Sequence, residues 1–160
     1  MKNILFLCTH NSCRSVMAEG LMQHYGKGKF IAYSAGSFPS GRINLKAIQT
    51  LKRNRIEADY DNFKSQSWDD FADIKMDVVI TVCDSAAGET CPLFLGGAAK
   101  AHWGVFDPSQ VKGSEADIET SFQDAFEILQ KRVMALVDLD FEKLNQDELK
   151  QELDKIGKLK

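Results

Sequence analysis

The short apolar run Ile4-Leu5-Phe6-Leu7 is followed at once by Cys8-Thr9-His10-Asn11-Ser12-Cys13-Arg14-Ser15, and this joint constrains the chain more than any other stretch. It reads as a buried strand, then a loop with five residues between Cys8 and Arg14, then the start of a helix. A loop so placed can wrap with its backbone N–H groups pointing inward as an anion nest. The helix behind it adds free N–H groups and the positive end of its dipole. Arg14 offers a planar fork that matches two oxygens of a tetrahedral oxyanion. The same features favour a negative sulfur, so they predict a lowered pKa for Cys8 and a nucleophile at neutral pH. A chance Cys and Arg in a turn is the plain alternative. The strand before and the helix after weigh against it.

Strands and helices alternate further on. Expected strands are Lys2 to Cys8, Phe30 to Ala35, Met76 to Cys83 and Ala98 to Trp103. The third contains the β-branched run Val78-Val79-Ile80-Thr81-Val82 and is the clearest central strand. Expected helices are Ser15 to Tyr25, stopped by Gly26, and Leu45 to Ile56, capped by Asn44. Ser67 to Phe71 reads as a single helical turn. A long helix starts at Ser114 with Asp117 as capping-box acid, and Ile118, Phe122, Phe126, Leu129 and Val133 form its apolar stripe. This pattern implies an α/β fold: an open four-stranded parallel sheet in the order 2-1-3-4 with helices on both faces. One domain over residues 1–140 and a charged helical tail over 141–160 are expected; Leu144, Leu149, Leu153 and Ile156 are spaced for an amphipathic helix, read as a solvated appendage with packing on the body as the alternative. In such a sheet the site lies beyond the strand C-termini at the switch in strand order. Cys8 and Cys83 would end neighbouring strands, about 4.8 Å apart, within reach of a disulfide after a modest loop movement. Asp107, stiffened by Pro108, follows the fourth strand at the same edge.

The net charge of -3 gives no general attraction to nucleic acid. No apolar run is long enough to span a membrane, and the N-terminus lacks the pattern of a secretory signal, so the cytoplasm is the default location and a monomer the default state. Four cysteines then need an account: Cys8, Cys13, Cys83 and Cys91. A reducing compartment disfavours a structural disulfide framework. The spacings Cys-x4-Cys and Cys-x7-Cys are poor matches to zinc sites, so no metal is expected. Thiol redox chemistry fits better.

These residues resemble the low-molecular-weight protein tyrosine phosphatase superfamily, and within it the thiol-dependent arsenate reductases. The resemblance rests on the Cys8-to-Ser15 loop, Ser34-Ala35-Gly36, Val82-Cys83-Asp84, Cys91-Pro92, and His102-Trp103-Gly104 leading to Asp107-Pro108. It implies that Cys8 attacks an arsenate or phosphate oxyanion while Arg14 and the loop residues Thr9, His10, Asn11, Ser12, Cys13 and Ser15 bind or support it. Asn11 and Ser15 would hydrogen-bond the loop and the thiolate, and Asp107 would protonate the leaving oxygen. Cys83 would attack Cys8 and release arsenite, and Cys91 would attack Cys83 and carry the disulfide outward. The resemblance implies no bound cofactor but an external thiol reductant, either thioredoxin or glutathione with glutaredoxin.

A tyrosine phosphatase with extra cysteines is the alternative enzyme, and a non-catalytic anion or thiol sensor is the alternative outside enzymes. Asp107-Pro108 is followed by Ser109-Gln110, whereas phosphatases of the family carry tyrosines there. Seven residues separate Cys83 from Cys91, one more than in thioredoxin-linked members. Some members bind potassium through residues matching Asn11, Glu19 and Ser34 and a later Asp. The corresponding stretch Phe63-Lys64-Ser65-Gln66-Ser67 has no Asp.

Overall fold

The computed structural model describes residues 1–84 and 95–160. Cys91, Pro92 and most of the loop expected between Cys83 and Cys91 lie outside the described residues. Four strands form one parallel sheet: β1 (Lys2–Leu7), β2 (Phe30–Ala35), β3 (Val78–Thr81) and β4 (Ala99–His102), in the order β2-β1-β3-β4. Leu7 stands opposite Ala35 on one side and Thr81 on the other, and Thr81 stands opposite His102. The strands are shorter than expected at β1, β3 and β4, but the ladder continues past their ends. The Cys8 amide donates to the Ala35 carbonyl, that of Val82 to Leu7, and that of Trp103 to Thr81. Cys8, Val82 and Trp103 thus remain aligned at one edge.

Central strands read as unbroken apolar runs because both faces are covered. On one face Ile4, Phe6, Val78 and Ile80 pack with α1 (Arg14–Tyr25), α2 (Leu45–Arg53) and α3 (Glu115–Val137) through Met17, Leu21, Leu51, Phe122, Phe126 and Leu129. On the other, Leu5, Leu7 and Val79 pack with Phe71, Trp68 and Leu95, Phe71 and Trp68 coming from the one-turn helix Trp68–Phe71. The caps fall where expected. Asn44 Oδ1 accepts from the Lys46 amide, and Ser114 and Asp117 form a capping box.

The second helix ends three residues before the expected Ile56. Arg55 takes a left-handed conformation with φ 60. The Arg55 amide donates to Lys52 O and that of Ile56 to Leu51 O, the pattern of a Schellman stop. Ile56 is thereby folded back into the core. Arginine in the place usually held by glycine hides this stop from the sequence.

The charged tail differs more. It is helical, as α4 (Gln146–Ile156), but it is not a solvated appendage. Leu149, Leu153 and Ile156 are buried in the same core as Phe6 and Phe126. The fully buried Trp103 donates from Nε1 to the Leu153 carbonyl at 2.9 Å. Buried Arg132 of α3 reaches the Leu159 carbonyl with Nε (3.0 Å) and the Gly104 carbonyl with Nη1 (3.2 Å). A large ring at the end of an edge strand needs cover, and α4 supplies it. Among the described residues no helix is long and apolar enough to cross a membrane.

Leu153→Ala is therefore expected to cost about 2–5 kcal/mol, as for other buried leucines. Urea unfolding measures this, and a freely solvated tail would show no change.

Candidate active site

The loop after β1 is shaped by what its carbonyl oxygens meet. Thr9 O accepts from the Phe38 amide, His10 O from the Ser40 amide and the Ser65 hydroxyl, and Ser12 O from the Asn44 amide. These carbonyls face outward, onto the segment between β2 and α2. Peptide units are planar and trans, so the following amides of His10 and Cys13 face the opposite way, toward the cavity. Gly36 permits the close approach, since a Cβ there would fall on the Cys8 and Thr9 carbonyl oxygens.

Asn11 fixes the turn. It is fully buried in a left-handed conformation with φ 45. Its Nδ2 donates to Ser15 Oγ at 2.9 Å and Ser34 Oγ at 3.0 Å, and its Oδ1 accepts from the Gln66 amide at 2.8 Å. It therefore ties the loop to α1, β2 and the segment before the one-turn helix, which is more than a turn former does. His10 faces solvent, with Nδ1 3.1 Å from the Phe38 carbonyl.

The cavity holds about 210 Å³ and is lined by Cys8, Ser12, Cys13, Arg14 and Asp107, among others. That is below the usual range for organic ligands, about 300–1,000 Å³, and suits a small ion. A hollow of about 650 Å³ at the opposite end of the strands has no cysteine in its wall. Arg14 is braced from the far side of the sheet edge: Nη1 donates to the Val105 carbonyl at 2.8 Å, and Nη2 lies 3.4 Å from Asp107 Oδ2. Its Nε is buried with no hydrogen-bond partner among the described residues. Asp107 Oδ1 accepts from the amide (2.9 Å) and hydroxyl (2.6 Å) of Ser109, which orients the carboxylate toward Arg14. Val105 and Gln66 act through backbone atoms, so side-chain patterns carried no signal for them.

Cys83 follows Val82 at the adjacent strand end, and Cys8, Cys13 and Cys83 are all free thiols. The Thr9 amide donates to Cys83 Sγ at 3.4 Å. Cys8 and Cys83 are hydrogen-bonded to each other. That contact, then burial, pushes the Cys8 thiol up from its ordinary value, while Arg14 pulls it down. This corrects the expected lowering, which follows from the loop and Arg14 alone and is reversed by the second thiol. Burial and then Asp107 push Cys13 up to about 12, so it stays a thiol. Cys8, Cys83, Arg14 and Asp107 thus meet at one edge, while Cys91 lies outside the described residues.

The residues matching the family's potassium ligands do not fit a cation here. Asn11 turns its amide nitrogen to Ser34, Asn11 Oδ1 already accepts from Gln66, and Ser34 Oγ donates to Glu19 Oε1 at 2.5 Å. Among the described residues no cluster of His, Cys, Asp or Glu could hold a metal. Burial raises the Glu19 carboxyl to about 7, against the hydrogen bonds from Ser34 and Gln23.

Two outcomes are expected. Cys83→Ala removes the main influence holding Cys8 up and leaves Arg14 in place. The pH midpoint for Cys8 alkylation by iodoacetamide should therefore fall, and an unchanged midpoint would separate the two thiols. Glu19, with its folded pKa raised above the ordinary 4.5, contributes most below that pH and loses its contribution as pH rises through about 7. Unfolding curves should show wild type losing stability over that window relative to Glu19→Gln.

The chain matches the family described as low molecular weight phosphotyrosine protein phosphatase over residues 3–153. An arsenate reductase of Staphylococcus xylosus is 39% identical over 114 residues, covering 71% of this chain and 84% of that protein. Among solved structures, an arsenate reductase in a phosphate-binding state superposes with a TM-score of 0.67 at 27% identity, covering 86% of this chain and 97% of that one. A thioredoxin-dependent arsenate reductase of Corynebacterium glutamicum superposes with a TM-score of 0.57 at 26% identity, covering 83% of this chain and 61% of that one. With a matched span of this length and an anion cavity built on its first strand, the chain belongs to the low molecular weight phosphotyrosine protein phosphatase family.

Proposed function

We propose that the protein reduces arsenate to arsenite, with Cys8 as nucleophile and Cys83 as the resolving thiol. The observation that carries this reading is the contact of Cys8, in the wall of an ion-sized cavity, with the thiol of Cys83, which lines the adjoining hollow beside the same Arg14 and Asp107. A phosphatase has no use for the second thiol.

The steps balance as follows. A dianionic arsenate entering the cavity takes the Cys8 proton, and Arg14 and the inward amides hold its oxygens. Arg14 Nε, a donor without a partner among the described residues, is available to one of them. Cys8 Sγ bonds to arsenic, and a hydroxyl of the arsenate leaves as water, the Cys8 proton reaching it through Asp107. Cys83 then attacks Cys8 Sγ, its proton passing to an arsenic-bound oxygen. The sulfur–sulfur bond forms, the sulfur–arsenic bond breaks, and its electron pair leaves with arsenic as arsenite. Cys91 attacks Cys83 next, and a thiol reductant of the thioredoxin or glutaredoxin type restores the enzyme. This chemistry suits a reducing cytoplasm.

Aryl-phosphate hydrolysis is a side activity of the same Cys8 step, and the Ser109-Gln110 pair after Asp107-Pro108 offers a phosphotyrosine ring no aromatic platform.

Anaerobic incubation with arsenate, followed by arsenite detection and disulfide mapping by mass spectrometry, tests the reading. A Cys8–Cys83 or Cys83–Cys91 linkage with arsenite released is the expected result. Asp107→Asn should slow the first step by about 10²–10⁴-fold. Cys83→Ser should stop arsenite release yet spare aryl-phosphate hydrolysis. Arsenate-treated wild type with neither linkage and no mixed disulfide would leave the phosphatase reading.

A further inference from the structure

Cys83 is anchored from two sides. On its N-terminal side the sheet holds it: the Val82 amide donates to Leu7 O at 2.9 Å, and Val82 O accepts from the Val105 amide at 3.1 Å. On its C-terminal side the chain has left the sheet, and the hold passes to a side chain. His102, the last residue of β4, places Nε2 2.9 Å from Asp84 Oδ1. A carboxylate oxygen only accepts, so Nε2 carries the proton. The other ring nitrogen, Nδ1, lies 2.8 Å from Thr81 Oγ1, and in the neutral ring the hydroxyl donates to it. One imidazole thus bridges the last residue of β3 to the residue directly after Cys83.

Two further facts bear on what this bridge does. Gly104 leaves room for it, since a Cβ there would stand 2.8 Å from His102 Nε2 and 3.0 Å from Asp84 Oδ1. The side chains are 38% and 96% exposed for His102 and Asp84. A pair so open to water adds little to stability. Its effect lies in where it fixes the backbone on the far side of Cys83.

We propose that Thr81, His102 and Asp84 form a clamp that positions Cys83 for attack on Cys8. They are positioning residues, acting through Cys83. In arsenate turnover this role rests on the reductase reading. The clamped step is the one in which Cys83 Sγ bonds to Cys8 Sγ, the Cys8–arsenic bond breaks, and the two sulfurs together give up the two electrons that arsenic takes. Small displacements in such an attack have large effects on rate, because the incoming sulfur must approach in line.

The test follows closure of the Cys8–Cys83 disulfide in the full chain carrying Cys91→Ser, so that the bond stays where it forms. Closure is triggered by arsenate in one arm and by diamide, an azo oxidant of paired thiols, in the other. His102→Leu removes the bridge. Gly104→Ala pushes its ends apart without removing a charge. Both should slow closure about ten- to a hundredfold in either arm, while Cys8-dependent hydrolysis of an aryl phosphate stays at the parent level. His102→Gln, whose amide can still donate to Asp84, should recover most of the rate. Closure at the parent rate in both His102→Leu and Gly104→Ala would overturn the clamp, and so would a parallel loss of aryl-phosphate hydrolysis. A parent that closes with diamide but not with arsenate would sink the reductase reading alone, and the diamide rates would still decide the clamp.

Discussion

Inward-facing amides require outward-facing carbonyls, and those carbonyls in turn need donors. The cavity depends on that requirement being met behind the loop. The Phe38, Ser40 and Asn44 amides and the Ser65 hydroxyl provide the donors. Asn11 sets the one left-handed turn in the loop and ties it to three other segments with a single side chain. Gly36 lets the next segment come close enough. The anion site is thus made as much by the chain after β2 as by the loop that faces the ion. Loss of the Asn11 amide would leave Ser15, Ser34 and the Gln66 amide short of a partner in a buried place, so its effect would reach beyond the loop.

Cys8 in the cavity wall and Cys83 behind it set the electrostatics of the site. A lone Cys8 would feel mainly Arg14, the amides and the helix end, all of which favour the thiolate. With Cys83 against it, the balance turns and the proton is kept. Arg14 is meanwhile engaged with Val105 and Asp107. A nucleophile held as a thiol, beside an arginine with other partners, is protected from stray oxidation. Under the proposed function, the arriving anion both draws Arg14 and takes the proton.

Much of this was legible in the sequence. The strand before Cys8, the helix after it, the sheet order and the capping residues Asn44, Ser114 and Asp117 all follow from local patterns whose physics is local. The meeting of Cys8 with Cys83 followed from strand adjacency. What escaped was carried by backbone atoms or by long-range fit. The Val105 carbonyl and the Gln66 amide leave no side-chain trace. The stop at Arg55 lacks its usual glycine. The packing of α4 depends on the ring of Trp103, distant in sequence, so the amphipathic spacing of Leu149, Leu153 and Ile156 did not say what those residues would pack against. The direction of the Cys8 shift is equally a long-range property, set by a residue seventy-five positions away.

The size of the cavity bears on selectivity. Arsenate and phosphate are both tetrahedral, similarly charged and close in dimension, and a space of about 210 Å³ lined by an arginine and amides has little with which to tell them apart. Discrimination would then be kinetic. Thiols reduce arsenic(V) but not phosphorus(V), so a phosphorylated Cys8 has no redox exit and must wait for water. In a cell rich in phosphate, the common anion would act as a standing competitor, and throughput would follow the ratio of the two anions more closely than the amount of either.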